Sequence, residues 1–374
     1  MISCRSSVND TKREVLESYF QRASIPFAIM GQVEKNGAKK VYAFGSPRHN
    51  AKNTVTENHI FRIFSMTKPI ITVAALQLVE DDMITLDEPL NEILPEMTQV
   101  PVLRENGELY YTDASITLRQ LLTHTSGFGY DFIYKNLSSY KVKSDDNVTF
   151  PRLFEPGQEW AYGTSLDWVV KVIEKLTNKS LEEYVYNNIT QPLEMKHTFF
   201  KLPDSLVSNL VTWGLRDING NINELPLINK KMTPNEQGKT LYSTLNDYLR
   251  FVECILNNGQ FKNNRILKEE TVDMMFRPNI SLNMKLNYDT RELQLPMESF
   301  LDPEDTWGLG WALEANKDEP VRPQNAAYWT GSANTYFTID KASGVGVVYF
   351  SQILPFNDKE SFKLYKRFEQ SIFN

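Results

Sequence analysis

From Ile70 to Val79 the chain is apolar at every position except Thr72 and Gln77. A helix that is apolar on all sides has no face to give to water, so other elements must enclose it. Whatever fold the chain adopts is built around that segment. Its start is marked by Pro69, which fits the first helical turn but not the interior, where it loses an N–H bond and clashes with the turn before. The spacing predicts a helix that begins near Ser65 and ends at Glu80-Asp81-Asp82. Ser65 and Lys68, three residues apart, share one face of it. A hydroxyl and an amine then stand together at the positive end of a buried helix, where the dipole favours anions. This is the S-x-x-K arrangement of a serine nucleophile and its base. A second copy, Ser138-Ser139-Tyr140-Lys141, lies in a polar run with no apolar helix behind it and is read as fortuitous.

At 374 residues the chain exceeds what one hydrophobic core usually serves, so two packed parts are expected. A net charge of −7 gives nucleic acid and anionic membranes no electrostatic draw. No apolar run is long enough to span a bilayer. Cys4 and Cys254 form no metal or redox spacing, and His49, His59, His124 and His197 are scattered. P-loop, G-x-G-x-x-G, G-x-S-x-G and HExxH patterns are absent, which removes nucleotide, α/β-hydrolase and zinc-protease chemistry together. No cofactor and no metal are expected. Met1 to Phe20 holds no continuous apolar segment, so no signal peptide is expected and the cytoplasm is the default compartment.

Along the chain, apolar spacing predicts a helix over Thr11 to Arg22 and a hairpin of strands, Phe27 to Val33 and Lys40 to Phe44, joined at Glu34-Lys35-Asn36-Gly37. After the Ser65 helix, Met83 to Pro101 reads as a crossing loop. Further helices are expected at Thr117 to His124, Ser165 to Leu176, Leu181 to Asn188 and Thr244 to Leu256. Ile280 to Asp305 reads as a long loop or insertion. Strand patterns return at Gly310 to Ala315, Ala326 to Trp329, Asn334 to Ile339 and Gly344 to Phe350, and Phe362 to Phe373 closes the chain as a helix. The expected class is α+β: an antiparallel sheet flanked by helices, made by residues 1–85 and 240–374. Residues 86–239 form an inserted, mainly helical subdomain, with the active site at the seam.

A Ser–Lys pair needs a third group. A lysine of ordinary pKa is protonated at neutral pH, so burial or a neighbouring proton acceptor must alter it before the serine is activated. A tyrosine suits this role, and Tyr162, in the turn Glu155-Pro156-Gly157-Gln158-Glu159-Trp160-Ala161-Tyr162-Gly163-Thr164, is placed for it before a helix.

Four stretches then occur in one order: Phe64-Ser65-Met66-Thr67-Lys68, Leu121-Leu122-Thr123-His124-Thr125-Ser126-Gly127, Pro156-Gly157-Gln158-Glu159-Trp160-Ala161-Tyr162 and Trp329-Thr330-Gly331. With Leu241 to Phe251 they resemble the class C β-lactamase-like serine hydrolases, most closely the esterase branch that also holds acyltransferases, over about Pro26 to Phe350. The resemblance implies a β-lactamase/transpeptidase-like fold, Ser65 as the acylated nucleophile, Lys68 as its proton acceptor and Tyr162 as the catalytic tyrosine. It implies an oxyanion hole from the backbone N–H groups of Ser65 and Ser332, and puts Trp329, Thr330, Gly331 and Thr164 at the substrate; the Phe128-Gly129-Tyr130 bend is read from its position as lining the acyl pocket, with Tyr130 at the substrate.

Two departures stand out. Trp329 replaces the lysine of the family's Lys-Thr-Gly, and Thr164 replaces the asparagine of Tyr-x-Asn, so the groups that meet a β-lactam carboxylate and acylamino chain are absent. His124 and Ser126 are two apart and do not face each other on a helix. The expected function is hydrolysis of small-molecule carboxylic esters through an acyl-serine, with acyl transfer to an alcohol or amine as the alternative. A β-lactamase, a D-amino-acid peptidase and a non-catalytic binding protein rank below both.

Overall fold

The computed structural model describes residues 4–48, 52–140, 150–226, 240–281, 300–302, 304–316 and 322–374, with backbone only at 4–10 and 281. The principal helices are α1 (Cys4–Arg22), α2 (Lys68–Glu80), α3 (Leu118–Leu122), α4 (Ser165–Thr177), α5 (Leu245–Leu256) and α6 (Lys359–Phe373). The strands of the main sheet are β1 (Phe27–Glu34), β2 (Lys39–Gly45), β3 (Ile280–Ser281), β4 (Thr306–Trp307), β5 (Ala312–Leu313), β6 (Ala327–Gly331), β7 (Thr335–Asp340) and β8 (Val345–Phe350).

These eight strands form one sheet in the order β3-β4-β5-β6-β7-β8-β1-β2. Every neighbouring pair is antiparallel, and β1 closes on β8 with Ile29 opposite Phe350 and Val33 opposite Gly346. The two ends of the chain thus complete one sheet, the α+β arrangement the patterns predict. The strands β1, β6, β7 and β8 are buried almost throughout, because helices cover both faces. On one face lies α5, so close that a Cβ at Gly346 would collide with Val252. On the other lie α1 and α6, with Tyr42 of β2 edge-on to Phe368 of α6, centroids 6.0 Å apart.

Helix α2 is buried from Lys68 to Leu78 except at Gln77, whose amide donates to the Ile266 and Asn188 carbonyls. It packs against α4 and against the helical turns of Leu181–Val185 and Tyr186–Thr190, and Gly310 lies directly against Thr72. The enclosure required by its apolar surface is therefore met.

Short-range differences have local causes. Pro95–Thr98 makes a helical turn inside the expected crossing loop. The helix at Leu181 stays α-helical only to Val185 and then widens into a π turn over Tyr186–Thr190. Small strand pairs, Val102–Leu103 with Leu109–Tyr110 and Trp213–Arg216 with Ile222–Leu225, break up the middle region. Strands this short carry too few alternations to show in a periodicity. The expected strand from Gly310 shrinks to β5 because Gly310 sits at φ +89°. Of the expected loop from Ile280 to Asp305, residues 282–299 and 303 lie outside the described residues. Its ends are β3 and the buried Asp305. Among the described residues no helix is long and apolar enough to cross a membrane.

Candidate active site

Ser65 lies in a 3-10 turn, Phe64–Thr67, that runs directly into α2. The α-helix proper begins at Lys68, three residues later than the sequence suggests. In a 3-10 turn residues i and i+3 eclipse one another, and Lys68 Nζ donates to Ser65 Oγ at 3.2 Å. The turn is fixed from several directions. Tyr248 of α5 donates its hydroxyl to the Met66 carbonyl at 3.0 Å, and the Leu241 N–H donates to Thr67 Oγ1 at 2.9 Å. Phe64, at φ 45°, packs edge-on to Trp213, centroids 5.4 Å apart. The stretch Leu241 to Phe251 is thus the clamp on the Ser65 turn.

The two middle motifs are joined to each other. The Gly157 N–H donates to the Thr125 carbonyl at 2.7 Å, Ala161 to His124 at 2.8 Å and Thr164 to Phe128 at 3.1 Å. This zipper brings Tyr130 and Tyr162 to the same place, ring centroids 5.7 Å apart. Lys68 Nζ stands between them, 5.5 Å from the Tyr130 centroid and 4.9 Å from that of Tyr162. It donates to the Tyr130 hydroxyl at 3.1 Å. The Tyr162 hydroxyl accepts from Trp329 Nε1, also at 3.1 Å.

Tyr130, expected at the substrate, is also a direct partner of Lys68. Burial alone would push the Lys68 pKa down, but the Tyr130 and Tyr162 phenols pull the other way and leave it raised. Burial in turn pushes the Tyr130 phenol up to about 12, against the pull of the Lys68 charge. Both shifts disfavour loss of a proton from Lys68 and Tyr130, and any such loss belongs to the coupled group as a whole.

Trp329 is 1% exposed, so its indole is built into the wall of the site. It packs on Tyr162, Trp307 and Phe300, centroids 4.9, 4.6 and 5.8 Å away. Thr330 is also buried, and its hydroxyl is used within its own hairpin, donating to the Thr335 carbonyl at 3.0 Å. A Cβ at Gly331 would collide with the Ile63 carbonyl, so glycine lets the end of β6 approach the backbone just ahead of Ser65. Ser332 begins the turn after β6. Thr164 is buried at the start of α4, without a side-chain cap bond.

His124 is fully buried among Tyr162, Trp307 and Trp160, and among the described residues neither ring nitrogen has a hydrogen-bond partner. Burial, aided by the Lys68 charge, holds its pKa well below the usual value, so the ring is neutral. Ser126 is paired with Ser165 Oγ at 2.9 Å, not with His124. Ser138, of the second S-x-x-K copy, donates to the Lys135 carbonyl, and Lys141 lies outside the described residues. A surface cavity of about 330 Å³, lined by Glu183, Tyr186, Thr198 and Phe199 among others, holds none of these groups. No cluster of metal-binding side chains occurs among the described residues.

A family model described as Beta-lactamase matches residues 16–371. The chain belongs to the Beta-lactamase family. Within it the chain is 29% identical over 339 residues to monacolin J acid methylbutanoyltransferase of Aspergillus terreus, covering 83% of this chain and 81% of that one. Lovastatin esterase of Penicillium rubens is 27% identical over 347 residues, covering 84% and 85%. A variant of simvastatin synthase from Aspergillus terreus superposes with a TM-score of 0.82 at 25% identity, covering 98% and 96%. The antiparallel sheet with its flanking helices is accordingly the β-lactamase-like fold. This Beta-lactamase-family chain is a serine enzyme of the hydrolase and acyl-transfer type.

Proposed function

We propose that the protein hydrolyses carboxylic esters of small molecules through an acyl-enzyme on Ser65. The observation that carries this reading is the position of Lys68 Nζ, within hydrogen-bond distance of both Ser65 Oγ and the Tyr130 hydroxyl and over the Tyr162 ring. A serine hydroxyl held by a buried lysine that two tyrosines flank is a proton-handling nucleophile, not a helix cap. In the proposed cycle Ser65 Oγ bonds to the ester carbonyl carbon, and its proton passes into the Lys68–tyrosine cluster. The N–H groups of Ser65 and Ser332 take the developing oxyanion; one such donor is typically worth about 10² to 10³ in rate. As the bond to the leaving alcohol breaks, Tyr162 returns the proton to the alkoxide. Water then attacks the acyl carbon, gives its proton to the same cluster, and the bond to Ser65 breaks with the proton returned to Oγ. The site lies at the seam of the sheet part, residues 1–85 and 240–374, and the helical part, 86–239.

Trp329 and Thr164 favour neutral esters, because the first puts a neutral indole where a β-lactam carboxylate would need a cation and the second offers no amide. Acyl transfer is the second reading, favoured by the identity to a methylbutanoyltransferase. It needs the same residues, with an alcohol or amine in place of water. Ser65→Ala should abolish both aryl-ester turnover and covalent labelling by a fluorophosphonate, whereas Ser138→Ala should change neither. Labelling that survives Ser65→Ala would overturn the assignment. Product analysis with added alcohol separates the two readings: free acid supports hydrolysis, a new ester supports transfer.

A further inference from the structure

Of the phenylalanines described, only Phe132 is exposed, at 54%. It does not project freely. It sits at the tip of a tight turn closed by the Ile133 and Tyr134 N–H groups on the Tyr130 carbonyl, at 3.1 and 3.0 Å. Ile133 and Tyr134 are buried and anchor the turn. From that tip the Phe132 ring folds back and stacks on Tyr130, centroids 4.7 Å apart and planes 22° from parallel. Tyr130 is the ring whose hydroxyl accepts from Lys68, which in turn reaches Ser65. A continuous aromatic surface thus runs from the exposed Phe132 through Tyr130 to the buried Tyr162 and Trp329. Its outermost ring is apolar, stacked on Tyr130 and half exposed.

We propose that the Tyr130–Phe132 stack is an aromatic platform beside Ser65 and that Phe132 is a specificity-determining residue, selecting esters that carry a flat aromatic group. The inference rests on the ester-hydrolase reading of Ser65 and names its substrate class. An exposed ring in solution binds little, but a planar partner laid on it gains area burial and a favourable offset-stacked geometry. Preorganisation adds to the gain, because the turn is already ordered and binding immobilises no further side chain of the protein. The gain applies equally to a ring on the acid side or on the alcohol side of the ester, and the test has an arm for each.

The experiment measures kcat/KM for ethyl acetate, ethyl phenylacetate and benzyl acetate with the unaltered enzyme, Phe132→Leu and Phe132→Tyr. Leucine keeps an apolar side chain at the turn and removes the ring; tyrosine keeps the ring. The expected result is that Phe132→Leu lowers the ratio of an aromatic ester to ethyl acetate about tenfold, one ring–ring contact's worth. The loss should appear in KM, and Phe132→Tyr should restore the ratio. The ester whose ratio falls tells which side of the bond the platform holds. If Phe132→Leu lowers all three values by one factor, or changes no ratio, the platform is wrong while the Ser65 reading stands. If the unaltered enzyme turns over none of the esters and takes no fluorophosphonate label, the Ser65 reading fails and the platform fails with it.

Discussion

Replacing Tyr130 by Phe tests the proton cluster at its most specific contact. The substitution keeps the ring, its stack on Phe132 and its edge contact with Tyr162, and removes only the hydroxyl 3.1 Å from Lys68 Nζ. A hydrogen bond to a charged group is worth about 1.5 to 3 kcal/mol. That energy stabilises the ammonium over the amine, so its loss lowers the Lys68 pKa by about one to two units at 1.36 kcal/mol per unit. The sign follows from the causes. Burial pushes the amine down, two phenols pull it up, and the variant keeps one of them. In a profile of kcat/KM against pH from 6 to 10, the unaltered enzyme should still be rising at the alkaline end, because its cluster gives up a proton late. Tyr130→Phe should show its alkaline rise displaced about one to two units toward lower pH. Its plateau should lie at least about tenfold lower, since Lys68 loses the acceptor that aims it at Ser65. Tyr162→Phe, measured in parallel, should lose about 10² to 10⁴ as the general acid–base group. Circular dichroism and urea unfolding check that both variants are folded. If Tyr130→Phe keeps the height and the pH dependence of the original profile, the Lys68–Tyr130 bond has no part in proton handling.

Trp329→Phe deletes the N–H that Tyr162 accepts at 3.1 Å but keeps an aromatic ring in the wall; kcat should fall about threefold to tenfold with KM little changed. A penicillin meets no cation at position 329, and the missing charge-assisted bond is worth about 1.5 to 3 kcal/mol, so its kcat/KM should lie at least about tenfold below that of an aryl acetate. The last prediction concerns a buried cluster behind β6, where Arg322 meets Glu314 at 3.2 Å and Glu369 at 3.0 Å, and Tyr328 bonds Asp305. Burial pushes the Glu314 acid up to about 7, against Arg322 and with the help of Asp305. An acid raised on folding binds its proton more tightly in the native state, so stability falls as pH rises from the unfolded value near 4.5 to about 7. Urea unfolding at pH 5 and pH 8 should show Glu314→Gln losing less stability across that interval than the unaltered protein, by on the order of 2 kcal/mol.

What the sequence determined by itself is what depends on neighbours along the chain. The enclosed helix α2 follows from a run without a polar face, and Pro69 marks its first turn. The Ser65–Lys68 contact follows from a spacing of three, because backbone geometry alone brings i and i+3 together in either kind of helix. The strands β1, β2, β7 and β8 were legible because each is long enough to carry a pattern, and the order of four motifs pointed to the family. Tyr162 came from its place in a turn ahead of a helix together with that order. Tertiary structure decided the rest. Tyr130 meets Lys68 across 62 residues, and Trp329 meets Tyr162 across 167. Both contacts depend on how the loop zipper and the end of β6 pack against the Ser65 turn, which no local pattern encodes. The direction of the Lys68 pKa shift was equally out of reach. Burial and two phenols act on it in opposite directions, and only their distances in the folded chain say which one prevails.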